Sequence, residues 1–357
     1  MAKKIFVLAP THSQPRFQKR VEQLSKFGDL VIFYFSRNLY NQNHFDERHR
    51  QVNLGLVEDR KYYKRISSLI NAFFLIKKYA NKLKPDSVYS FSIDLSVIGL
   101  LVGFRRGYLE IGDLILPNGL GRLSRIIEYY LFVRMQKIIL TSGAFVDNYS
   151  KWHFKKLNKF ITIENKMSSY FSISARGEAK RINYPVVIGL VGLLRYELPI
   201  KRLINFVKNS ENVKLVCFGE GLVKDYIIEN SSSKISYMGS FKNPDDLESI
   251  YNSIDINYVV YDNSFSNVRV ALPNKLYESM FWCKPIVVAE DTFLAQKVKK
   301  FHVGGDIPIG DQVVFNKLMT KFCEPKWIEQ KARTCCRIPT VDLIDNSIDE
   351  LGKILKN

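Results

Sequence analysis

The chain has no C-x-x-C pair, no Cys/His set at metal-ligand spacing, and only five cysteines in 357 residues: Cys217, Cys283, Cys323, Cys335 and Cys336. An odd count without a metal pattern argues against a zinc module and points to reduced thiols in a cytoplasm. No window reaches the roughly 18 apolar residues of a membrane span. The nearest candidate, Ile93 to Phe104, contains Asp94 and ends at Arg105-Arg106. The opening MAKKIFVLAP lacks the apolar stretch of a secretory signal. The loop after the first strand, PTHSQPR, has no G-x-G-x-x-G, which sets aside the dinucleotide fingerprint of a dehydrogenase. No D-x-D stands in a loop context, and the adjacent acids Asp245-Asp246 fit a helix N-terminus. Internal repeats, low-complexity tracts and the aromatic strands of RNA-binding domains are also missing.

Acidic residues are scarce in one half only. Residues 1–183 hold 31 Lys and Arg against 14 Asp and Glu, whereas residues 184–357 hold 22 against 21. Nearly all of the net charge of +18 therefore lies in the first half. It is interleaved with aromatics in Lys61-Tyr62-Tyr63-Lys64-Arg65, Lys77-Lys78-Tyr79 and Lys151-Trp152-His153-Phe154-Lys155-Lys156. Such a surface attracts the phosphates of anionic lipid or of nucleic acid. The helical stretch from Arg125 to Lys137 sets Ile, Tyr, Leu and Phe beside basic residues, which favours a membrane surface. A solvated basic face is the plainer alternative, and a nucleic-acid-binding protein the more distant one.

What is present is globular: 46% apolar and 25% charged residues, in a chain long enough for two domains. Lys4 to Ala9 predicts a strand, Arg16 to Phe27 a helix stopped at Gly28, and Leu30 to Phe35 the next strand. This is a βαβ opening onto a parallel sheet. His12 and Arg16 flank the carboxyl end of the first strand, where ligands bind in such sheets; a surface His and Arg with no ligand are the default. Residues 38–60 are polar and irregular. A basic helix over 66–83, a strand from Ser87 to Phe91 and a strand-to-loop passage from Tyr108 to Leu116 follow. Glu110 and Asp113 are the only carboxylates between Asp94 and Glu128. An acid beyond a strand end is a catalytic candidate, or else a turn Asp that caps backbone N–H groups. Residues 165–184 lack periodicity and read as a linker. Past Pro185 strands and helices alternate again, with Val213 to Phe218 closing at Gly219-Glu220-Gly221, which makes a second doubly wound α/β unit.

That unit leads to Pro273–Glu290, PNKLYESMFWCKPIVVAE. It reads as a short helix, a tight stop and a buried strand. Leu276 and Met280 give the helix an apolar stripe. Asn274, Lys275 and Glu278 crowd one polar flank near its N-terminus. A Lys at a helix N-terminus suits a phosphate, and a carboxylate one turn deeper suits a sugar's hydroxyls. An amphipathic helix whose polar face is merely wet is the alternative.

Four motifs in order, VIGLVGLLRYELPIK (187–201), VKLVCFGEG (213–221), ISYMGSF (235–241) with LESIYNSIDINYVVY (247–261), and PNKLYESMFWCKPIVVAE, carry a resemblance. The second half resembles the donor-nucleotide domain of GT-B fold glycosyltransferases, in particular glycosyltransferase family 4. APTHSQPRFQKRVEQLSKFGDLVIFY and ITIENKM (161–167) resemble, more faintly, the family's acceptor domain and interdomain passage. The resemblance implies an α/β GT-B architecture of two Rossmann-like doubly wound domains facing a central cleft. The implied parts are an acceptor domain at 1–167, a linker at 168–184 and a nucleotide-sugar domain at 185–335. A C-terminal helix at about 340–357 would pack back onto the first domain, as in the family. The implied activity is transfer of a sugar from a nucleotide sugar, expected to be UDP-linked, to a lipid-linked or growing surface-polysaccharide acceptor. It would run at the cytoplasmic membrane face of a bacterium, with no cofactor and no metal. A soluble acceptor is the alternative.

By the same resemblance Arg195 and Lys201 hold the diphosphate as its charge develops. Gly192, Gly219, Asn274 and Lys275 line the donor site, and Glu278 takes the ribose. His12, Arg16 and Asp94 are acceptor-side candidates. Three departures stand out. The family's second Glu, eight residues earlier, is Val270; the Gly before Lys-Pro is Cys283; and Asp113 occupies about the place of the family's His. If Asp113 deprotonates the acceptor, inversion follows; if it only orients the donor, retention stays open.

Overall fold

The computed structural model describes residues 3–12, 14–37, 45–57, 62–114, 121–150, 158–171 and 176–356. The basic run 151–156 and residues 38–44 and 58–61 lie outside them. The chain divides into two compact units, residues 1–164 with 347–357, and residues 165–346.

In the first unit the described strands form one parallel sheet. They are β1 (Lys4–Ala9), β2 (Asp29–Ser36), β3 (Arg50–Leu56), β4 (Ser87–Ser90), β5 (Gly107–Ile111), β6 (Lys137–Leu140) and β7 (Phe160–Thr162), in the order β3-β2-β1-β4-β5-β6-β7. The connecting helices are α1 (Pro15–Ser25), α2 (Tyr62–Leu83), α3 (Ile93–Val102), α4 (Gly121–Arg134) and α5 (Ala144–Ser150). After the exposed Lys4, strand β1 is apolar because both its faces are covered. Ile5, Val7 and Ala9 pack with Phe17, Val21 and Leu24 of α1, while Phe6 and Leu8 pack with Ala72 and Ile76 of α2 and Leu95 and Ile98 of α3.

The second unit repeats the plan with β8 (Val186–Val191), β9 (Val213–Phe218), β10 (Ile235–Gly239), β11 (Ile256–Val259), β12 (Ile286–Ala289) and β13 (Gly304–Ile307). The order is β10-β9-β8-β11-β12-β13, with parallel pairing throughout. Its described helices are α6 (Glu197–Lys208), α7 (Lys224–Glu229), α8 (Leu247–Asn252), α9 (Ser266–Val270), α10 (Lys275–Phe281), α11 (Phe293–Phe301), α12 (Gln312–Phe322), α13 (Pro325–Arg337) and α14 (Thr340–Leu343). In each sheet the strand order reverses once, between β1 and β4 and between β8 and β11. Ligands of open α/β sheets bind at the strands' carboxyl ends at such a reversal.

Three expectations are corrected. Residues 168–184, read as a linker, belong with the second unit. Met167 and Phe171 are buried in its core, and the Gly177 N–H donates to Phe281 O at 3.1 Å. Arg176 donates to Thr340 Oγ1 at 2.7 Å and to Cys335 O at 2.9 Å. A few anchors in a polar stretch leave no periodic signal. The single helix expected near 340–357 is two. α14 ends at Leu343, the Asp345 N–H donates to Met167 O at 2.8 Å, and α15 (Ile348–Lys356) then joins the first unit. There Leu351 enters the core around β1, and Tyr108 donates from its hydroxyl to Ile354 O at 3.1 Å. The cysteines are not all thiols: Cys283 and Cys336, brought to a Cα separation of 5.4 Å where α10 packs on α13, form a disulfide. Cys217, Cys323 and Cys335 are free and buried, and burial pushes each thiol up to about 12. Cys283 takes the left-handed stop at φ 52° where the resemblance leads one to expect glycine.

Candidate functional site

The carboxyl ends of β8 and β9 turn into two glycine loops that stack. The Gly192 N–H donates to Phe218 O at 2.9 Å, the Leu194 N–H to Glu220 O at 2.9 Å, and the Gly219 N–H to Gly239 O at 2.7 Å. Gly219 has φ +128°, and a Cβ there would lie 1.8 Å from Gly192 O, so only glycine fits. Gly192 has φ +125°, and a Cβ on it would come within 3.4 Å of Lys275 Cε. Lys275 thus lies against the Gly192 turn.

Helix α10 is buried on all sides, which overturns the reading of Lys275 and Glu278 as a wet flank; Asn274, just before the helix, is half-buried. Glu278 is only 1% exposed and Lys275 only 7%. Lys275 Nζ is 2.6 Å from Glu278 Oε2, the Tyr251 hydroxyl donates to the same oxygen at 2.7 Å, and the Asn274 amide donates to Oε1. Behind them Asn257 Nδ2 donates to the Tyr251 hydroxyl at 3.2 Å and to Ser279 Oγ at 2.7 Å. Burial first, and then the Glu278 charge, push the Tyr251 phenol well above its ordinary value, so it stays a donor. A carboxylate so supplied is fixed in place by its donors.

Arg195 is exposed, with its guanidinium 5.7 Å from the Tyr196 ring. Its charge and that of Glu278 both act on Tyr261, whose phenol burial pushes up. Tyr196, next to Arg195, packs on Tyr261 at 5.1 Å, and Tyr261 packs on the core that holds α10. Lys201 is exposed and paired within its own helix. Its Nζ is 2.5 Å from Glu197 and 4.9 Å above the Tyr226 ring, and the bond to Glu197 raises its pKa.

In the first unit the acceptor-side candidates stand at the carboxyl edge of one sheet. His12, expected at the surface, is buried at 6% exposure and packs edge-on against Tyr34 at 5.1 Å. Arg16 seats its guanidinium on Gly112, where a Cβ would lie 1.1 Å from Nη1, and its Nε is 3.9 Å from Glu110 Oε1. Asp113, the next residue, is exposed beyond the end of β5. Asp94 is half-buried in the first turn of α3 and accepts the Leu95 N–H at 3.0 Å.

Sequence reasoning missed two buried groups. Glu110, fully buried, accepts from Arg20 Nε at 2.8 Å and from the Tyr89 hydroxyl at 2.6 Å. The signal was Arg20 on the Phe17, Val21, Leu24 stripe, where an apolar residue belongs. The second group is Tyr251 with Asn257, and Asn257 is the polar residue inside the apolar strand INYV. Among the described residues no group of three or more His, Cys, Asp and Glu side chains could hold a metal ion.

Solved structures of low sequence identity match the chain over nearly all of its length. Sucrose-phosphate synthase from Thermosynechococcus elongatus matches with a TM-score of 0.74 at 12% identity, covering 99% of this chain and 98% of that one. WaaG, a glycosyltransferase involved in lipopolysaccharide biosynthesis, matches at 0.71 and 10%, covering 99% and 100%. HepE from Anabaena, in complex with UDP and glucose, matches at 0.66 and 13%, covering 99% of each. No protein-family model matches the chain, and no curated protein matches it significantly. At such identities the likeness is one of fold: the chain has the two-unit α/β architecture of the GT-B class.

Proposed function

We propose that this protein is a glycosyltransferase that moves a sugar from a nucleotide-sugar donor, UDP-linked, to a lipid-linked or growing surface-polysaccharide acceptor. The observation that carries the reading is the buried Lys275–Glu278–Tyr251 cluster set against the Gly192 turn at a strand-order reversal. In this reading Glu278 accepts the ribose hydroxyls, and Lys275 and Arg195 take the diphosphate. The leaving diphosphate gains charge as the glycosidic bond breaks, and cations already aimed at it lower that barrier without a metal. Lys201, paired with Glu197 on the exposed side of α6, is the further candidate cation. Asp113 is the candidate base, which gives inversion; NMR of the product's anomeric centre separates that role from mere orientation of the donor. The bound UDP of HepE and the lipopolysaccharide role of WaaG support the donor and the acceptor class respectively.

The basic first unit motivates the membrane. α3 packs against α2 and against α4. From α2, Ile66, Ile70 and Phe74 are more than half exposed, and from α4 so are Ile126 and Tyr130. Lys77 lies 5.4 Å from the Phe73 ring and Arg134 3.4 Å from the Tyr130 ring. Apolar side chains rimmed by cations suit the interface of an anionic bilayer. No helix among the described residues is long and apolar enough to cross a membrane. The Cys283–Cys336 bond is the observation that weighs against a reducing compartment.

A thermal-shift screen against UDP, GDP, ADP and CMP tests the donor site, because a ligand of the native state raises the melting point. A rise with UDP is expected; no rise with any of the four removes the proposal. Flotation with anionic vesicles at low salt tests the membrane reading, and no retention there would leave a soluble acceptor.

A further inference from the structure

Beside the α10 cluster lie three aromatic side chains that the chemistry above does not use. Tyr196 follows β8 next to Arg195, and Tyr261 and Phe265 follow β11. The Tyr196 ring centre is 5.1 Å from that of Tyr261 and 6.1 Å from that of Phe265. β8 and β11 are the neighbours at which this sheet's strand order reverses. The three rings therefore stand at the carboxyl ends of the two strands that frame the ligand crevice of such a sheet.

Phe265 is 57% exposed, so its ring leaves apolar surface in water. Its loop is nonetheless held firmly. The Ser264 N–H donates to Asp262 Oδ1 at 3.0 Å, and Asn263 Nδ2 donates to Glu290 O, just past β12, at 3.0 Å. Arg269 Nη1 grips Asn263 O at 3.1 Å and Ser264 O at 3.4 Å. An exposed ring on a fixed loop has little freedom left to lose when a flat partner settles on it, which is the condition for a useful stacking contact. The chemistry nearby agrees. Where the resemblance leads one to expect a carboxylate for the donor sugar, α9 ends in Val270. With no acid at that place, a sugar can still be held by laying its C–H face on an aromatic ring while Arg195 fixes the adjoining phosphate.

We propose that Phe265 and Tyr196 form a stacking platform for the pyranose ring of the donor, and that this platform helps choose the sugar. The proposal rests on the donor-site reading above and sharpens it. The test is calorimetric titration of the full chain with nucleotide sugars and with their bare nucleotides. The pairs are UDP with UDP-glucose, UDP-galactose and UDP-N-acetylglucosamine, and GDP with GDP-mannose. The wild type should bind at least one nucleotide sugar more tightly than its own nucleotide. Phe265→Ala should weaken that nucleotide sugar by about two- to tenfold, the range of one aromatic contact. Affinity for the bare nucleotide should stay within about twofold, and Phe265→Trp should restore the difference. A thermal melt confirms that Phe265→Ala folds, as a change at an exposed ring should. If Phe265→Ala leaves the difference intact, or weakens nucleotide and nucleotide sugar alike, the platform is refuted and the donor site stands. The platform is equally refuted if no sugar adds affinity in the wild type. If the wild type binds no nucleotide at all, the donor site itself falls, and the platform with it.

Discussion

Replacing Glu278 by alanine tests the cluster most directly. The carboxylate is 1% exposed and accepts from Lys275, Tyr251 and Asn274. Its loss leaves an ammonium that is 7% exposed without its counter-charge, and a buried phenol without its acceptor. Breaking a buried pair from one side costs about 3–5 kcal/mol, because the remaining charge keeps its desolvation penalty. For a unit the size of residues 165–346 this lowers the melting temperature by about 6–20 °C. Calorimetry or circular dichroism, with and without UDP, reads the result. Lys275→Met combined with Glu278→Leu removes both charges at similar volume, and should recover most of the stability while the response to UDP stays lost. A melting point within about 2 °C of wild type for Glu278→Ala would refute the buried-pair reasoning. A double variant that still responds to nucleotide would refute the cluster's role in binding.

Arg195 is exposed, so Arg195→Ala should leave stability within about 0.5 kcal/mol yet lower turnover by about 10²–10³. Lys201→Ala, whose side chain is turned to Glu197, should cost less; steady-state rates on one donor compare the two. Asp255 accepts the Val187 N–H at 2.8 Å, but burial still raises its pKa above the ordinary value. The folded chain then holds that proton more readily than the unfolded chain. The resulting stabilisation is complete below the unfolded value and is lost as pH rises through the folded one. The melting point of the wild type relative to Asp255→Asn should therefore fall from about pH 4 to neutrality; a rise would show the sign to be wrong. Thiol titration of the unfolded, unreduced protein should find three reactive cysteines, and five would rule out the Cys283–Cys336 bond.

The fold was legible because it is written in period and order. Apolar runs such as KIFVLA, LVIFYF and IVVA, spaced by amphipathic helices, allow little besides parallel sheets covered on both faces. The α10 window was legible for its residues but not for their state, since spacing puts Asn274, Lys275 and Glu278 on one flank without saying that the flank is buried. Burial there comes from Tyr251 and Asn257, which reach α10 from α8 and β11, and no local pattern records such a meeting. For Lys201 the place on α6 was readable, but its pairing with Glu197 four residues earlier was not considered. The return of the chain to the first unit was legible in outline. Its break at 344–347 was not, because it depends on a single backbone pairing with Met167.

Glu110 in the first unit and Glu278 in the second are each buried with a cation and a tyrosine, and the two groups differ in their surroundings. Around Glu110, Arg20 Nη1 also donates to Gln23 Oε1 at 2.7 Å and to Oγ of Ser347, the residue just before α15, at 3.0 Å. That group ties α1, β4, β5 and the returning chain together through Glu110 Oε2 and Arg20, while Glu110 Oε1 is buried without a hydrogen-bond partner among the described residues. Lys275 donates to Glu278, but an ammonium carries three donors, and this one lies against a residue with no side chain to occupy the space beside it. Well-packed apolar residues of similar volume would stabilise either place at least as well as buried charge. In the proposed donor site, the charge at Lys275, at the carboxyl edge of the sheet and against the Gly192 turn, is there for a ligand that completes it.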